Sequence, residues 1–169
     1  MSKAIKTLHD ALTYQLQGLL YAESRIAEEF NVCSTQITST EVQSVIRKYV
    51  DNTVNVKLKL DRVFNYLMLE PVARKNDVIN KMIDETHHLL TYASPPNLKD
   101  ILMIGCFRNL NAYKTACFQT CYLMATELEL DTAADLIQQV LEWEIAAGKR
   151  IATLSIHEFN KLNNPAKAG

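Results

Sequence analysis

The sequence predicts an all-α protein, and three observations support that prediction. The chain has four glycines and four prolines in 169 residues, which is too few chain-breaking residues for the many turns of a β-sandwich or barrel. Apolar residues recur at alternating steps of three and four over long stretches, as they do on the buried face of a helix. The clearest break is the run Ser-Pro-Pro-Asn at positions 94–97, which separates two such stretches.

Five helices follow from this periodicity. Four of them are about 25 to 30 residues long, and a shorter helix lies between the second and third long ones. In chain order the five helices span about 6–30, 41–69, 75–92, 98–128 and 131–161.

Local signals mark the ends of the predicted helices. The polar segment 31–40 is predicted to be a loop, and Ser39 or the next residue is predicted to cap the second helix. Pro71 is predicted to end that helix. Asp131 or the next residue is predicted to cap the last helix.

The helix lengths and connections also predict an architecture. Four long helices with one inserted helix leave a single long connection, which is the ferritin-like topology of four-helix bundles. We therefore predict a ferritin-like four-helix bundle with an additional short helix between the second and third long helices. A single domain is expected to cover residues 1–162, and residues 163–169 are expected to form a flexible tail.

Composition and charge argue against several classes of function. The formal net charge is −1, which gives no electrostatic support for binding to nucleic acid or to an anionic membrane. The sequence shows no membrane span and no secretory signal. The four cysteines form no CxxC pair, so they are predicted to be reduced thiols of a cytoplasmic protein. The absence of a nucleophile or phosphate-binding motif favours a non-enzymatic protein.

Polar residues interrupt several of the apolar faces. Glu23 in the first helix and Glu144 in the last helix lie on apolar stripes. Asn52 is placed toward the core by its spacing, and Lys114 is flanked by apolar residues, with Asn111 one turn before it. A buried carboxylate without a partner costs several kcal/mol or becomes protonated. The two glutamates therefore need an explanation.

Three explanations are open at this point. The glutamates bind metal ions, as in carboxylate-bridged di-metal bundles. Alternatively, they pair with a buried cation, for which Lys114 is the candidate. In the third case the periodicity is displaced by one residue, and both carboxylates point to solvent.

Residues 7–26 read TLHDALTYQLQGLLYAESRI and contain the element Tyr21-Ala22-Glu23. This segment resembles the opening helix of the YciE/YciF-type ferritin-like family of bacterial proteins, and the resemblance extends over nearly the whole chain. It implies a homodimer with a loose link to stress responses. It also implies that the family's acidic positions form a di-metal site of the ferritin type.

The chain departs from the family pattern at most of the implied ligand positions. Glu23 and Glu144 match the pattern. The positions that do not match are Asn52, Asn111, Lys114 and Gly148. A di-metal site needs about four to six carboxylate or histidine ligands, and a protonated lysine repels a cation. We therefore expect no metal and no other cofactor, with Lys114 between the two glutamates holding the helices in register.

Two alternative functions remain open. A working di-iron or di-manganese protein, acting as an oxidase or peroxide scavenger, would use Glu23, Glu142, Glu144 and Asp51 as ligands, with Lys114 turned away. A ligand-binding bundle would instead hold a small anion on Lys114.

The fourth predicted helix carries more apolar surface than one bundle core needs. One stripe contains Met103, Cys106, Leu110, Cys117, Cys121 and Met124, and another contains Ile101, Ile104, Phe118, Tyr122 and Ala125. Because two stripes on one helix indicate a second contact surface, we predict a homodimer.

Overall fold

The computed structural model describes residues 4–164, and every regular element within that range is a helix. The all-α prediction is therefore confirmed. The elements are α1 (Leu8–Ser34), α2 (Thr40–Tyr66), α3 (Asp77–Tyr92), α4 (Pro96–Glu127) and α5 (Asp131–Asn163). The C-terminal tail predicted for residues 163–169 begins one residue inside α5, and positions 165–169 lie outside the described residues.

The four long helices form a closed bundle. α1 packs against α2 and α4, and α5 packs against α2 and α4. The short helix α3 lies outside this ring, against α1 and α4. The predicted bundle of four long helices with a short helix between the second and third is therefore confirmed.

Two predicted helix ends are wrong. α1 continues past Phe30 to Ser34, because Cys33 is also buried and extends the apolar face by one turn. α2 ends at Tyr66 rather than near Pro71. There the amide of Leu69 donates to the carbonyl of Phe64, and Met68 takes a positive φ of 54°, which turns the chain out of the helix.

The capping predictions had mixed outcomes. Ser39 caps α2, as predicted, and its hydroxyl accepts from the amide of Val42. Asp131 does not cap α5, since it is the first residue of that helix and Leu130 occupies the capping position. The turn from α4 into α5 is tight, with Glu129 at a positive φ of 56°.

The connection between α2 and α3 is fastened to the side of α1 by Arg74. Its amide donates to the carbonyl of Gln17 at 3.0 Å, and its guanidinium stacks 3.5 Å from the ring centre of Tyr14. Gly18 permits this approach, because a Cβ at that position would lie 2.5 Å from Arg74 Nη2. The long connection is thus held in place by an arginine and a glycine.

The core consists of two hydrophobic clusters with a polar layer between them. On α1, Leu19 and Leu20 belong to one cluster, and Ala22 and Ile26 belong to the other. On α5, Leu141 and Ala147 are divided in the same way. The buried Glu23 lies between Leu20 and Ile26, and the buried Glu144 lies between Leu141 and Ala147, so the polar layer crosses the middle of the bundle.

Both apolar stripes of α4 are used within the chain. Members of each stripe, among them Met103, Leu110, Ile104 and Phe118, are buried against the neighbouring helices. α4 contacts α1, α3 and α5, which explains its double stripe. The two stripes therefore give no support to a second copy. No helix in residues 4–164 has the length and apolar character needed to cross a membrane.

Candidate functional site

Lys114 lies at the centre of the bundle with 1% of its side chain exposed. Its ammonium nitrogen is 2.7 Å from Glu23 Oε1 and 2.7 Å from Glu144 Oε1. The same nitrogen donates a hydrogen bond of 3.0 Å to the hydroxyl oxygen of Tyr49. One side chain of α4 thus contacts α1, α2 and α5.

Glu144 is the fully satisfied carboxylate of the site. Its Oε1 accepts from Lys114, and its Oε2 accepts from the Tyr49 hydroxyl at 2.6 Å and from Asn111 Nδ2 at 2.9 Å. Asn111 Nδ2 also donates to the backbone carbonyl of Glu144 at 3.0 Å. Three directed donors offset the cost of burying this carboxylate.

Glu23 is buried to the same depth but is poorly satisfied. Within residues 4–164, neither of its carboxylate oxygens accepts a hydrogen bond of good geometry. Its short contact with Lys114 is therefore an ionic contact that lies off the hydrogen-bonding direction, and Oε2 has no donor among the described residues. Burial raises the pKa of Glu23 from 4.5 to about 7, although the charge of Lys114 acts to lower it.

Lys114 is held in its charged form. Burial alone would lower its pKa, but the carboxylates of Glu144 and Glu23 outweigh burial and raise the pKa well above its usual value. Burial likewise raises the pKa of Tyr49 well above its usual value. Tyr49 is therefore a neutral phenol that donates to Glu144, and Lys114 is a permanent cation near neutral pH.

Gly148 has a steric role beside Asn111. A Cβ at position 148 would lie 2.6 Å from Asn111 Oδ1, which is too close for an ordinary contact. The glycine therefore leaves the space that the Asn111 amide needs to reach Glu144. Asn111 and Gly148 therefore form one structural unit.

Asn52 lies at the edge of the site rather than in its centre. It is half-buried, and its Oδ1 accepts from Asn55 Nδ2 at 3.1 Å. The side chain of α2 that reaches the charged layer is Tyr49, which is not among the site residues predicted from the sequence. A usable signal was present, because a tyrosine on an apolar stripe needs a partner for its hydroxyl.

The ligand set of the di-metal alternative is not brought together. Asp51 and Glu142 are exposed, and Glu142 Oε1 accepts from Gln138 Nε2 on the surface of α5. Glu23 and Glu144 are buried. Within residues 4–164, no group of three or more His, Cys, Asp or Glu side chains is placed to hold a metal ion.

The residues of the charged layer do not fit a di-metal centre. Two carboxylates are too few to offset two divalent cations. The position between them is taken by an ammonium group, which cannot act as a ligand while protonated and repels a cation. The small-anion alternative meets a different obstacle, because the Lys114 ammonium already donates to Glu144 and Tyr49 and lies 2.7 Å from Glu23.

A cavity of about 240 Å³ adjoins the charged layer between α2 and α5. Glu23, Tyr49, Lys114 and Glu144 line it on the inside. Its exposed lining residues include two basic side chains, Lys48 and Arg150.

Known proteins resemble this chain over nearly all of its length. Residues 7–162 match the family described as a domain of unknown function, DUF892. Among curated proteins, YciF of Escherichia coli strain K12 is 20% identical over 158 residues, which are 93% of this chain and 95% of YciF.

Two solved structures share the fold. The crystal structure of the E. coli stress protein YciF matches with a TM-score of 0.88 at 20% identity, over 93% of this chain and 99% of that chain. YcfI of Rhodopseudomonas palustris, to which a structural role has been ascribed, matches with a TM-score of 0.87 at 23% identity, over 90% of this chain and 98% of that chain. The chain therefore belongs to the DUF892 family and is a helical bundle protein of the YciE/YciF type.

Proposed function

We propose that this chain is a non-enzymatic, ferritin-like bundle protein in which a buried lysine and two glutamates stand in the place of a di-metal centre. One observation carries the proposal: the Lys114 ammonium lies 2.7 Å from each of the carboxylates of Glu23 and Glu144. A cation held there by covalent attachment to α4 supplies the positive charge that a metal would otherwise provide.

Charge and hydrogen bonding support this assignment. The two glutamates and the lysine sum to a formal charge of −1 when all three are ionised, and Tyr49 and Asn111 complete the shell of Glu144. A buried ion pair of this kind adds little net stability over an apolar core, and we propose that it disfavours other helix registers, in which these charges would be buried without a partner. The proposed role of the layer is thus structural, and redox chemistry is assigned to none of its residues.

The proposal includes a biological setting. YciF of E. coli is described as a stress protein, and YcfI of R. palustris has been ascribed a structural role. We extend both to this chain: a structural protein made under stress, located in the cytoplasm. All four cysteines lie within the described residues and none forms a disulfide, which agrees with a reducing compartment.

Metal content tests the proposal directly. Purified protein is incubated with ferrous iron, manganese or zinc, desalted, and assayed by elemental analysis, with a di-iron bundle protein as the positive control. We expect well under one metal ion per chain. About two per chain would overturn the proposal and support the di-iron or di-manganese oxidase instead.

A lysine variant identifies the cause of the exclusion. In Lys114→Gln the ammonium is removed while a side chain of similar length remains. Metal uptake by this variant but not by the natural protein would show that the ammonium excludes the cation. If the variant does not fold, the result for the natural protein still decides the proposal.

A homodimer is also proposed. The last turns of α5 expose Ile156, Phe159 and Leu162, with exposed fractions of 65%, 50% and 40%. Apolar side chains at spacings of three residues on one helix form a stripe suited to a partner. Sedimentation equilibrium is expected to give twice the chain mass, and Phe159→Ser is expected to shift the protein toward the monomer. A natural protein that sediments as a monomer would refute the proposal.

A further inference from the structure

The unsatisfied carboxylate of Glu23 lines the cavity beside the charged layer. Glu23 is 0% exposed, and Oε2 has no hydrogen-bond donor among residues 4–164. A buried acceptor left in this state costs free energy. A molecule in the cavity that donates a hydrogen bond to this oxygen would recover that free energy. We therefore expect a ligand of this cavity to carry a hydrogen-bond donor.

The fully buried donors on the inner wall are already engaged within the chain. The Tyr49 hydroxyl donates to Glu144, and Lys114 directs its ammonium at Tyr49, Glu144 and Glu23. The Thr53 hydroxyl donates to the carbonyl of Val50 at 2.7 Å. The inner end of the cavity therefore presents one unsatisfied acceptor, Glu23 Oε2, and the buried donors around it are already engaged within the chain.

The outer end of the cavity has the opposite character. Lys48 and Arg150 line it from α2 and α5, and both are exposed. Within the described part of the chain, neither has an ion-pair or hydrogen-bond partner for its side chain. Two unpaired basic side chains at one opening attract a carboxylate.

We propose that this cavity binds a small zwitterion, with its ammonium group directed at Glu23 and its carboxylate at Lys48 and Arg150. The volume of about 240 Å³ suits a molecule of amino-acid size. Val56, Ala146 and Ala147 supply an apolar wall for a short carbon chain. The inference rests on the proposed function, because it requires Lys114 rather than a metal ion beside Glu23.

Thermal unfolding with a matched ligand series tests the proposal. Glycine, β-alanine and 4-aminobutyrate vary the distance between the two charges, whereas acetate and methylammonium each carry only one. At saturation, at least one zwitterion is expected to raise the Tm by about 5 °C or more. Acetate and methylammonium are expected to raise it by less than about 1 °C at the same concentration.

Variants assign the two ends of the ligand. Glu23→Gln and Arg150→Gln are each expected to weaken binding. In each variant, the zwitterion concentration that gives half of the maximal Tm shift is expected to rise at least tenfold. Lys149→Gln is the matched control, because it removes the same charge from the neighbouring exposed position outside the cavity. It is expected to leave the shift unchanged. An equal effect of Lys149→Gln and Arg150→Gln would overturn the assignment.

Other outcomes would also overturn the proposal. No shift with any zwitterion would refute it, and a shift with acetate equal to that with the zwitterions would replace it with a surface anion site. The metal content of the same samples separates this inference from the proposed function. Metal-free protein that binds no zwitterion refutes only the inference, whereas protein that takes up two metal ions refutes the proposed function as well.

Discussion

The Asn111 amide reaches Glu144 only because residue 148 is glycine. A Cβ on residue 148 would approach Asn111 Oδ1 to 2.6 Å, and Asn111 Nδ2 is the donor that completes the shell of Glu144 Oε2. The two residues lie on adjacent helices, α4 and α5, at the level of the charged layer. Asn111 and Gly148 therefore affect both the packing of α4 against α5 and the hydrogen bonding of the buried Glu144 carboxylate.

Gly148→Ala is expected to destabilise the protein by about 1–3 kcal/mol, because Asn111 must move and its bond to Glu144 is weakened. Urea unfolding measures the change. Gly105→Ala is the control, since a Cβ there meets nothing within 4 Å. In an exposed helix position that substitution is expected to stabilise by about 0.5–1 kcal/mol.

The coupling between the two positions can be tested separately. If the clash is the cause, Asn111→Ala and Gly148→Ala together will cost clearly less than the sum of the two single changes. Strict additivity in urea unfolding would contradict the steric explanation.

Lys114→Met is expected to destabilise the protein by about 3–5 kcal/mol, because two carboxylates then remain buried without a cation. Adding Glu23→Gln and Glu144→Gln to the same chain is expected to recover most of that loss, since the uncompensated charges are removed. Denaturant midpoints for the single and triple variants check both statements. An unchanged midpoint for Lys114→Met would mean that the buried ion pairs contribute nothing.

The stability of the natural protein is expected to fall as the pH rises from about 4.5 to 7. Burial raises the pKa of Glu23 from 4.5 to about 7, so in this range the folded state holds a proton that the unfolded state has lost. The contribution is up to about 3 kcal/mol, present below pH 4.5 and lost as the pH passes 7. Lys114, Glu144 and Tyr49 face Glu23 from the other helices, and Lys114 stays charged throughout.

Glu23→Gln isolates this effect. Its stability relative to the natural protein is expected to rise over the same pH range, because glutamine does not titrate. Glu142→Gln is the control, an exposed glutamate on α5. Parallel pH profiles for Glu23→Gln and the natural protein would show that the raised pKa is wrong.

Tyr49→Phe is expected to destabilise by about 1–3 kcal/mol, because it removes a donor from Glu144 and an acceptor from Lys114 while keeping the ring. Tyr92→Phe is the matched control, because Tyr92 is 75% exposed. Chemical unfolding compares the two variants. Equal small effects would indicate that water replaces the Tyr49 hydroxyl.

Sequence periodicity predicted the fold and part of the site. The interruptions at Glu23, Lys114 and Glu144 were visible because a charged residue on an apolar stripe has few explanations, and the structure buries all three. Tyr49 was missed because a tyrosine fits the same stripe without seeming out of place. The periodicity predicted that Asn52 points to the core, but the residue is half-buried at the edge of the site. A small error in the rotation of a helix about its axis is enough to move a side chain from the core to its edge.

Other features depended on contacts between distant segments. The exit of α2 near Tyr66 is determined by the positive φ of Met68, and no local residue signals that turn. The second stripe of α4 predicted a partner, but the short helix α3 covers part of it. A pattern on one helix shows that a surface is covered without showing what covers it.

Because Glu23 and Glu144 share the cation of Lys114, substitutions at these three positions are not independent of one another. A change at Lys114 alone leaves two buried charges, and a change at either glutamate alone alters the balance that keeps the lysine charged. Asn111 and Gly148 depend on each other sterically, because a larger residue at position 148 would clash with the Asn111 side chain. Relatives are therefore expected to differ at these positions in groups, with residues 23, 114 and 144 substituted together and residues 111 and 148 substituted as a pair.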